Sequence, residues 1–185
     1  MRRLLLATAL LAALVLAVSA QAEPGHVFKE TVHLEDFNEI DGFCGTDMLV
    51  RSHFVADLEL KTMPRGRDGL IYFTNHFSIT EAFTNVANSK TVVSTVKAIE
   101  KDLRVRDNGD GTLTILILST GNAVIYNSDG KAIGRNPGQV RFELVVDHGG
   151  TPSDPADDTE ISFELVKEST GRSDDVCEVA VSALS

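Results

Sequence analysis

Apolar and polar residues alternate along most of this chain with a period of two. In DMLVRSHFVADLELKT, Met48, Val50, Phe54, Ala56, Leu58 and Leu60 share one parity, while Asp47, Arg51, His53, Asp57, Glu59 and Lys61 share the other. Successive side chains of a strand point to opposite faces, so this pattern predicts a strand with one buried face. LIYFTNHFSITEAFTNV repeats it, with Ile71, Phe73, Phe77, Ile79 and Phe83 set against Tyr72, Thr74, His76, Ser78 and Thr80. HVFKETVHLEDFN, KTVVSTVKAIEKDLRVR, TLTILILST, NAVIYN, QVRFELVVD and TEISFELVKE bring the expected count to about eight strands.

The connectors carry hairpin chemistry. RDNGDGTL, NSDGKA and NVANSKT place Asn, Asp or Gly where a turn needs positive φ or a side-chain-to-backbone hydrogen bond. Short turns join antiparallel neighbours, so the expected topology is a meander. Only the end predicts a helix: SDDVCEVAVSALS offers Ser173 as N-cap, Asp174 and Asp175 in the first turn, and Val176, Val179 and Ala180 on one face. The fold class is therefore mainly β, an antiparallel meander of about eight strands with a short C-terminal helix. Closure into a barrel hides the edges of such a sheet most directly, with a sandwich as the alternative. A barrel of this size is either filled by its own side chains or holds one small ligand. Phe54, Phe73, Phe77, Phe83, Phe142 and Phe163 are expected inside, and both outcomes stay open.

The first residues change the picture of where this domain works. MRRLLLATALLAALVLAVSAQA has Arg2 and Arg3, an apolar run from Leu4 to about Val18, and small residues at its end. These are the parts of a secretory signal peptide, with cleavage expected after Ala22. The run is shorter than the ~20 residues a membrane span needs. Residues 23–185 then form a single secreted domain with no membrane association after cleavage. The chain has 17 Lys and Arg against 27 Asp and Glu, a formal charge of −10, which argues against nucleic acid and anionic membranes as partners.

Export also bears on the two cysteines, Cys44 in DGFCGTDM and Cys177 in DDVCEV. Outside the reducing cytosol two cysteines of one chain usually pair, and neither has the spacing of a redox motif. A Cys44–Cys177 disulfide is expected, tying the helix to the turn after the first strand.

Candidate chemistry is sparse. Asn75 and Glu81 fall on the phenylalanine parity, so an unbroken strand turns an amide and a carboxylate toward the apolar side. Burial would raise the Glu81 pKa there and give a ligand a polar anchor, unless a β-bulge returns Glu81 to solvent. Phe54, Phe73, Phe77 and Phe83 would form the wall of that ligand site. His53 and His76, on the polar parity, are expected as a solvent-facing neighbour pair with Arg51 and Tyr72 nearby. DNGDGT is expected as a plain hairpin turn, because Gly109 and Gly111 occupy positions where an EF-hand needs oxygen. Asp147, Asp154, Asp157 and Asp158 make an acidic loop whose default is solvation, with cation binding as the alternative. No G-x-S-x-G, H-E-x-x-H, P-loop or G-x-G-x-x-G occurs, and nothing implies a cofactor, a metal or a catalytic residue.

EKDLRVRDNGDGTLTILILSTGNAVIYNSDGKAIGRNPGQVRFELVVDHGGTPSDPADD, followed by GRSDDVCEVAVSALS, resembles a family of small exported bacterial proteins. The likeness covers most of residues 23–185 and carries no activity with it. More distantly, size, leader and strand count are similar to lipocalins and to the barrels of dirigent and allene oxide cyclase proteins. That likeness is one of architecture alone, since a chain without Trp has no lipocalin G-x-W motif. The functional expectation is a secreted barrel holding a small apolar or amphiphilic ligand. The alternatives are a filled barrel meeting a partner at the cell surface and, more weakly, a cyclase-like or isomerase-like enzyme.

Overall fold

The computed structural model describes residues 27–169 and 171–185; the expected leader, residues 1–22, lies outside the described residues. Seven strands follow one another, β1 (Phe28–Ile40), β2 (Val50–Arg65), β3 (Leu70–Asn85), β4 (Thr91–Asp107), β5 (Thr112–Tyr126), β6 (Ala132–Asp147) and β7 (Thr159–Lys167), and a helix α1 (Val176–Leu184) ends the chain. The strands form one antiparallel sheet in chain order, a pure meander. Register carries the period-two pattern across the sheet: Leu58 opposes Phe77, Phe77 opposes Ala98, and Ala98 opposes Gly121. One face is thereby mostly apolar, interrupted by a few polar residues such as Asn75 and Glu81. The other carries His33, His53, His76, Lys97 and their polar neighbours.

Two expectations about this sheet are corrected. TLTILILST and NAVIYN are not separate strands but one, β5, running through Gly121. A Cβ at Gly121 would lie 2.5 Å from the Ala98 Cβ and 2.6 Å from the Lys97 carbonyl oxygen. This glycine serves close approach of two strands rather than a turn. The barrel, in turn, is not closed. The strand order ends at β1 and β7, which do not pair with each other. β7 has nine residues against thirteen in β1, and its ladder with β6 breaks register twice. Both edge strands are also acidic, β1 with Glu30, Glu35, Asp36 and Glu39 and β7 with Glu160 and Glu164, so pairing them would oppose like charges.

The sheet nevertheless rolls. One cavity is lined by side chains from every strand between β2 and β7, although a flat sheet with strands ~4.8 Å apart would hold those two about 24 Å from each other. The result is an open trough whose apolar face is the inside.

Helix α1 covers one end of the trough. Ala180 and Leu184 are buried against Val50, Val92, Ile125 and Phe43. Its N-cap is Asp175, which accepts from the Glu178 N–H at 3.1 Å, rather than the expected Ser173. Asp174 is engaged elsewhere, accepting from the Arg135 N–H at 2.9 Å and pairing with Arg172. At the far terminus Asn85 and Asn88 donate to the Leu184 carbonyl at 3.0 and 2.8 Å, supplying partners for a helix end. The Cys44–Cys177 disulfide is present, with Cα atoms 5.4 Å apart. Cys44 lies in a 3-10 turn directly after β1 and has φ +52°, between Gly42 at +68° and Gly45 at +79°. Left-handed backbone of this kind is easy for glycine and strained for cysteine, which accounts for the glycines that flank it.

The other end of the trough is covered by residues 148–158. His148 is buried and its N–H bonds the Gly111 carbonyl at 3.1 Å, fastening this loop to the β4–β5 turn.

Candidate functional site

The trough does not have uniform walls, and the reason lies in β4. The ladder between β3 and β4 runs from Thr84↔Thr91 to Thr74↔Lys101 and stops. One residue further, the Asp102 carboxylate accepts the Phe73 N–H at 2.7 Å, where a backbone carbonyl would otherwise stand. Beyond that, the Tyr72 hydroxyl accepts the Val105 N–H at 3.2 Å. On its other side β4 shifts register between Asp102 and Arg104, a bulge that turns Leu103 out to solvent. Side chains thus replace backbone pairing between β3 and β4, and the two strands splay. A cavity of about 110 Å³ opens on the inner face at this point.

Its walls are mostly apolar: Phe73 from β3, Ile115 and Ile117 from β5, Phe142 and Leu144 from β6, Phe163 from β7. Phe142 and Phe163 stack with ring centroids 4.9 Å apart. Polar groups are few and converge from different elements. Thr62 opposes Phe73 across the β2–β3 ladder, and its hydroxyl is buried without a hydrogen-bond partner among the described residues. Glu100 and Asp102 come from β4, Asp158 from the covering loop and Glu160 from β7.

The environment of these carboxyls is unusual. Asp102 is only 9% exposed, and desolvation pushes its pKa from 3.8 up to about 7 against the opposing pull of the Phe73 N–H and Arg65. Burial also raises Glu100, partly offset by a hydrogen bond from Ser119. Asp158 is pushed up to about 6 by burial and then by Asp157, with His148 opposing. Perturbed carboxyls gathered in one apolar cavity make it the candidate site.

Of the residues expected to form a ligand wall, only Phe73 lines this cavity. Phe54, Asn75, Phe77, Glu81 and Phe83 all lie on the inner face, but nearer the α1 end or beside the cavity. The β2–β3 register is unbroken past Glu81, so the bulge that would have turned it to solvent does not occur. Glu81 accepts from the Ser52 hydroxyl at 2.6 Å, and burial raises its pKa. Asn75 is 0% exposed, and neither its side-chain oxygen nor its nitrogen has a partner among the described residues. It stands between Leu60 and Glu100, next to the cavity wall.

Thr62, Glu100 and Asp102 are not among the expected site residues, and Asp158 is expected only in the acidic loop. A signal for two of them exists, since Glu100 and Asp102 fall on the parity of Val92, Val96 and Ala98. Histidine expectations are corrected: register sets His53 opposite Ala82 and His76 opposite Glu59, so they are not neighbours. His53 instead stacks on Phe37 at 4.2 Å and bonds Glu35 at 2.7 Å on the outer face. In the acidic loop the carboxylates serve the loop's own turns. Asp157 accepts from the Thr151 hydroxyl at 2.7 Å and Asp154 from the Ala156 N–H at 3.1 Å. Among the described residues no three His, Cys, Asp or Glu side chains form a group able to hold a metal ion, and no helix is long and apolar enough to cross a membrane.

No family model, no curated protein and no solved structure matches the chain.

Proposed function

We propose that this is an exported binding module that holds a small amphiphilic molecule in the cavity between the splayed ends of β3 and β4. The observation that carries the reading is the cavity itself, whose aromatic walls enclose a few convergent polar groups. Size narrows the ligand. Dry apolar cavities of ~150 Å³ take a molecule such as benzene, so about 110 Å³ suits one ring or a short alkyl chain with a single polar end. The disulfide is consistent with an oxidising compartment, and N-terminal sequencing of the processed protein should begin at Glu23.

The test is an NMR titration with benzyl alcohol, which has one ring and one hydroxyl. Shifts confined to Phe73, Ile115, Ile117, Phe142 and Phe163 are expected. Their absence with benzyl alcohol, benzylamine and benzoate alike at millimolar ligand overturns the reading.

A second reading, an interaction protein, has its own support. Ile161, Leu165 and Val166 are exposed on β7, a sheet edge that no strand among the described residues covers. Free edges of this kind accept an added strand. Sedimentation of the protein at rising concentration separates the two, since a lone carrier stays monomeric.

A further inference from the structure

The polar groups of the cavity are nearly all of one kind. Glu100, Asp102, Asp158 and Glu160 place four carboxyls around it. Basic groups are close but turned elsewhere. Lys101 borders the cavity but has the opposite parity on β4 and is exposed, and the Arg65 guanidinium lies over the Tyr72 ring, 4.7 Å from its centroid. The cavity is therefore predominantly acidic, with the exposed Lys101 at its rim and Arg65 acting on Asp102 from outside. An anionic ligand would meet like charge in a poorly solvated space, and a neutral one would leave the carboxylates uncompensated.

The second, independent observation is the Thr62 hydroxyl. Thr62 is 5% exposed, lines the cavity, and its oxygen has no partner among the described residues. Buried hydroxyls are normally hydrogen-bonded, so this one marks where a ligand atom belongs. Its place is defined by the strands. Thr62 and Asp102 flank Phe73 from its two sides, Thr62 through the β2–β3 register and Asp102 through its bond to the Phe73 N–H. Glu100 lies two residues from Asp102 on the same face of β4. The three present acceptor oxygens from two strands to one side of an aromatic-walled space. An ammonium group has three N–H donors and no acceptor, and so is the complement of that set.

Resting on the cavity reading above, we propose that the ligand is a small primary amine, with one ring or a few carbons among Phe73, Phe142 and Phe163 and its ammonium held by Asp102, Glu100 and the Thr62 hydroxyl. The affinity then depends on pH. Asp102 is faced by Glu100 on its own strand, Arg65 on β2, Asp158 of the covering loop and Glu160 of β7; Asp158 is faced in turn by Asp147, Asp154, Asp157 and His148. Asp102, Asp158 and Glu100 all have raised pKa values, so an ammonium ligand must draw protons off them, and binding tightens as pH rises from about 5 to 8.

The experiment is calorimetric titration of the disulfide-bonded protein with benzylamine, benzyl alcohol and benzoate at pH 5 and pH 8. Benzylamine is expected to bind at least tenfold tighter than benzyl alcohol at pH 8, to lose most of that advantage at pH 5, and to release protons on binding; benzoate is expected not to bind. Asp102→Asn and Thr62→Val should each weaken benzylamine severalfold, and by more than they weaken benzyl alcohol. Glu100→Gln gives the same comparison should the first variant not fold. Benzyl alcohol binding as tightly as benzylamine at pH 8 overturns the amine and leaves the cavity reading standing. Binding of none of the three overturns both.

Discussion

The Asp102 carboxylate takes the Phe73 N–H at 2.7 Å at the point where β3 and β4 stop exchanging backbone hydrogen bonds. One side chain thus ends a ladder, holds the splayed strands in place and faces the cavity that the splay creates. A structural role and the proposed binding role meet in this carboxyl.

That double role predicts a pH dependence of stability. The folded chain keeps a proton on Asp102 up to about pH 7, whereas the unfolded chain releases it near 3.8. With more protons bound to the folded state, stability falls as pH rises from about 4 to about 7 and levels off above that, by at most about 4 kcal/mol. Asp102→Asn keeps an oxygen for the Phe73 N–H and removes the titration. Urea unfolding at pH 5 and pH 8 should show a shallower decline in this variant; Asp158, Glu81 and Glu100, all raised, retain part of it. Equal declines in the two proteins count against the assignment.

Gly121→Ala should destabilise by ~1–3 kcal/mol or more through overpacking, because the new methyl meets Ala98 and a backbone carbonyl. Adding Ala98→Gly should restore only part of the loss, since the Lys97 oxygen remains 2.6 Å from the new Cβ. Thermal melts of the single and double variants decide this. Full recovery would mean that the backbone contact yields.

Cys177→Ser releases the N-terminal turn of α1. Faster amide exchange is expected first from residues 176–184, with a global loss of up to about 4–5 kcal/mol for a loop of this length. Exchange that accelerates evenly over the sheet would show that the bridge acts on the whole domain and not on the helix.

The opposite end of α1 is held by two amides on one carbonyl. Asn88→Ala should cost about 1 kcal/mol, because Asn85 still donates to Leu184. Removing both leaves a carbonyl on a fully buried residue without a partner, and the double variant should lose more than the single effects combined. A double-mutant cycle by chemical denaturation measures the excess, and strict additivity sinks the idea of a shared cap.

How far the chain disclosed this arrangement varies by element. Parity in β2 and β3 was legible because each buries one face along its whole length, but register was not, and it separates His53 from His76. The disulfide was legible from the cysteine count and the expected leader. β5 was divided in two at Gly121 because turn and close-approach glycines look alike in sequence, and only the Ala98 backbone distinguishes them. Closure was misjudged because it depends on whether the first and last strands match in length, charge and regularity, a relation between β1 and β7 that no local window contains. The cavity escaped for a similar reason. It arises from a bulge at Leu103 and a side chain standing in for backbone, and the alternation along β4 conceals both.

The distance between the two cysteines sets an order of events. In a meander each strand pairs with the one made just before it, so a chain emerging from its N-terminus can assemble hairpin by hairpin as it appears. Cys44 emerges after a single strand, but its partner follows 133 residues later, behind all seven. Until then an incomplete chain carries a lone thiol in a strained turn, and oxidation at that stage can join it only to another molecule. The intramolecular bridge is thus a chemical certificate of completion, and a truncated or stalled product is marked by the mixed disulfides it forms.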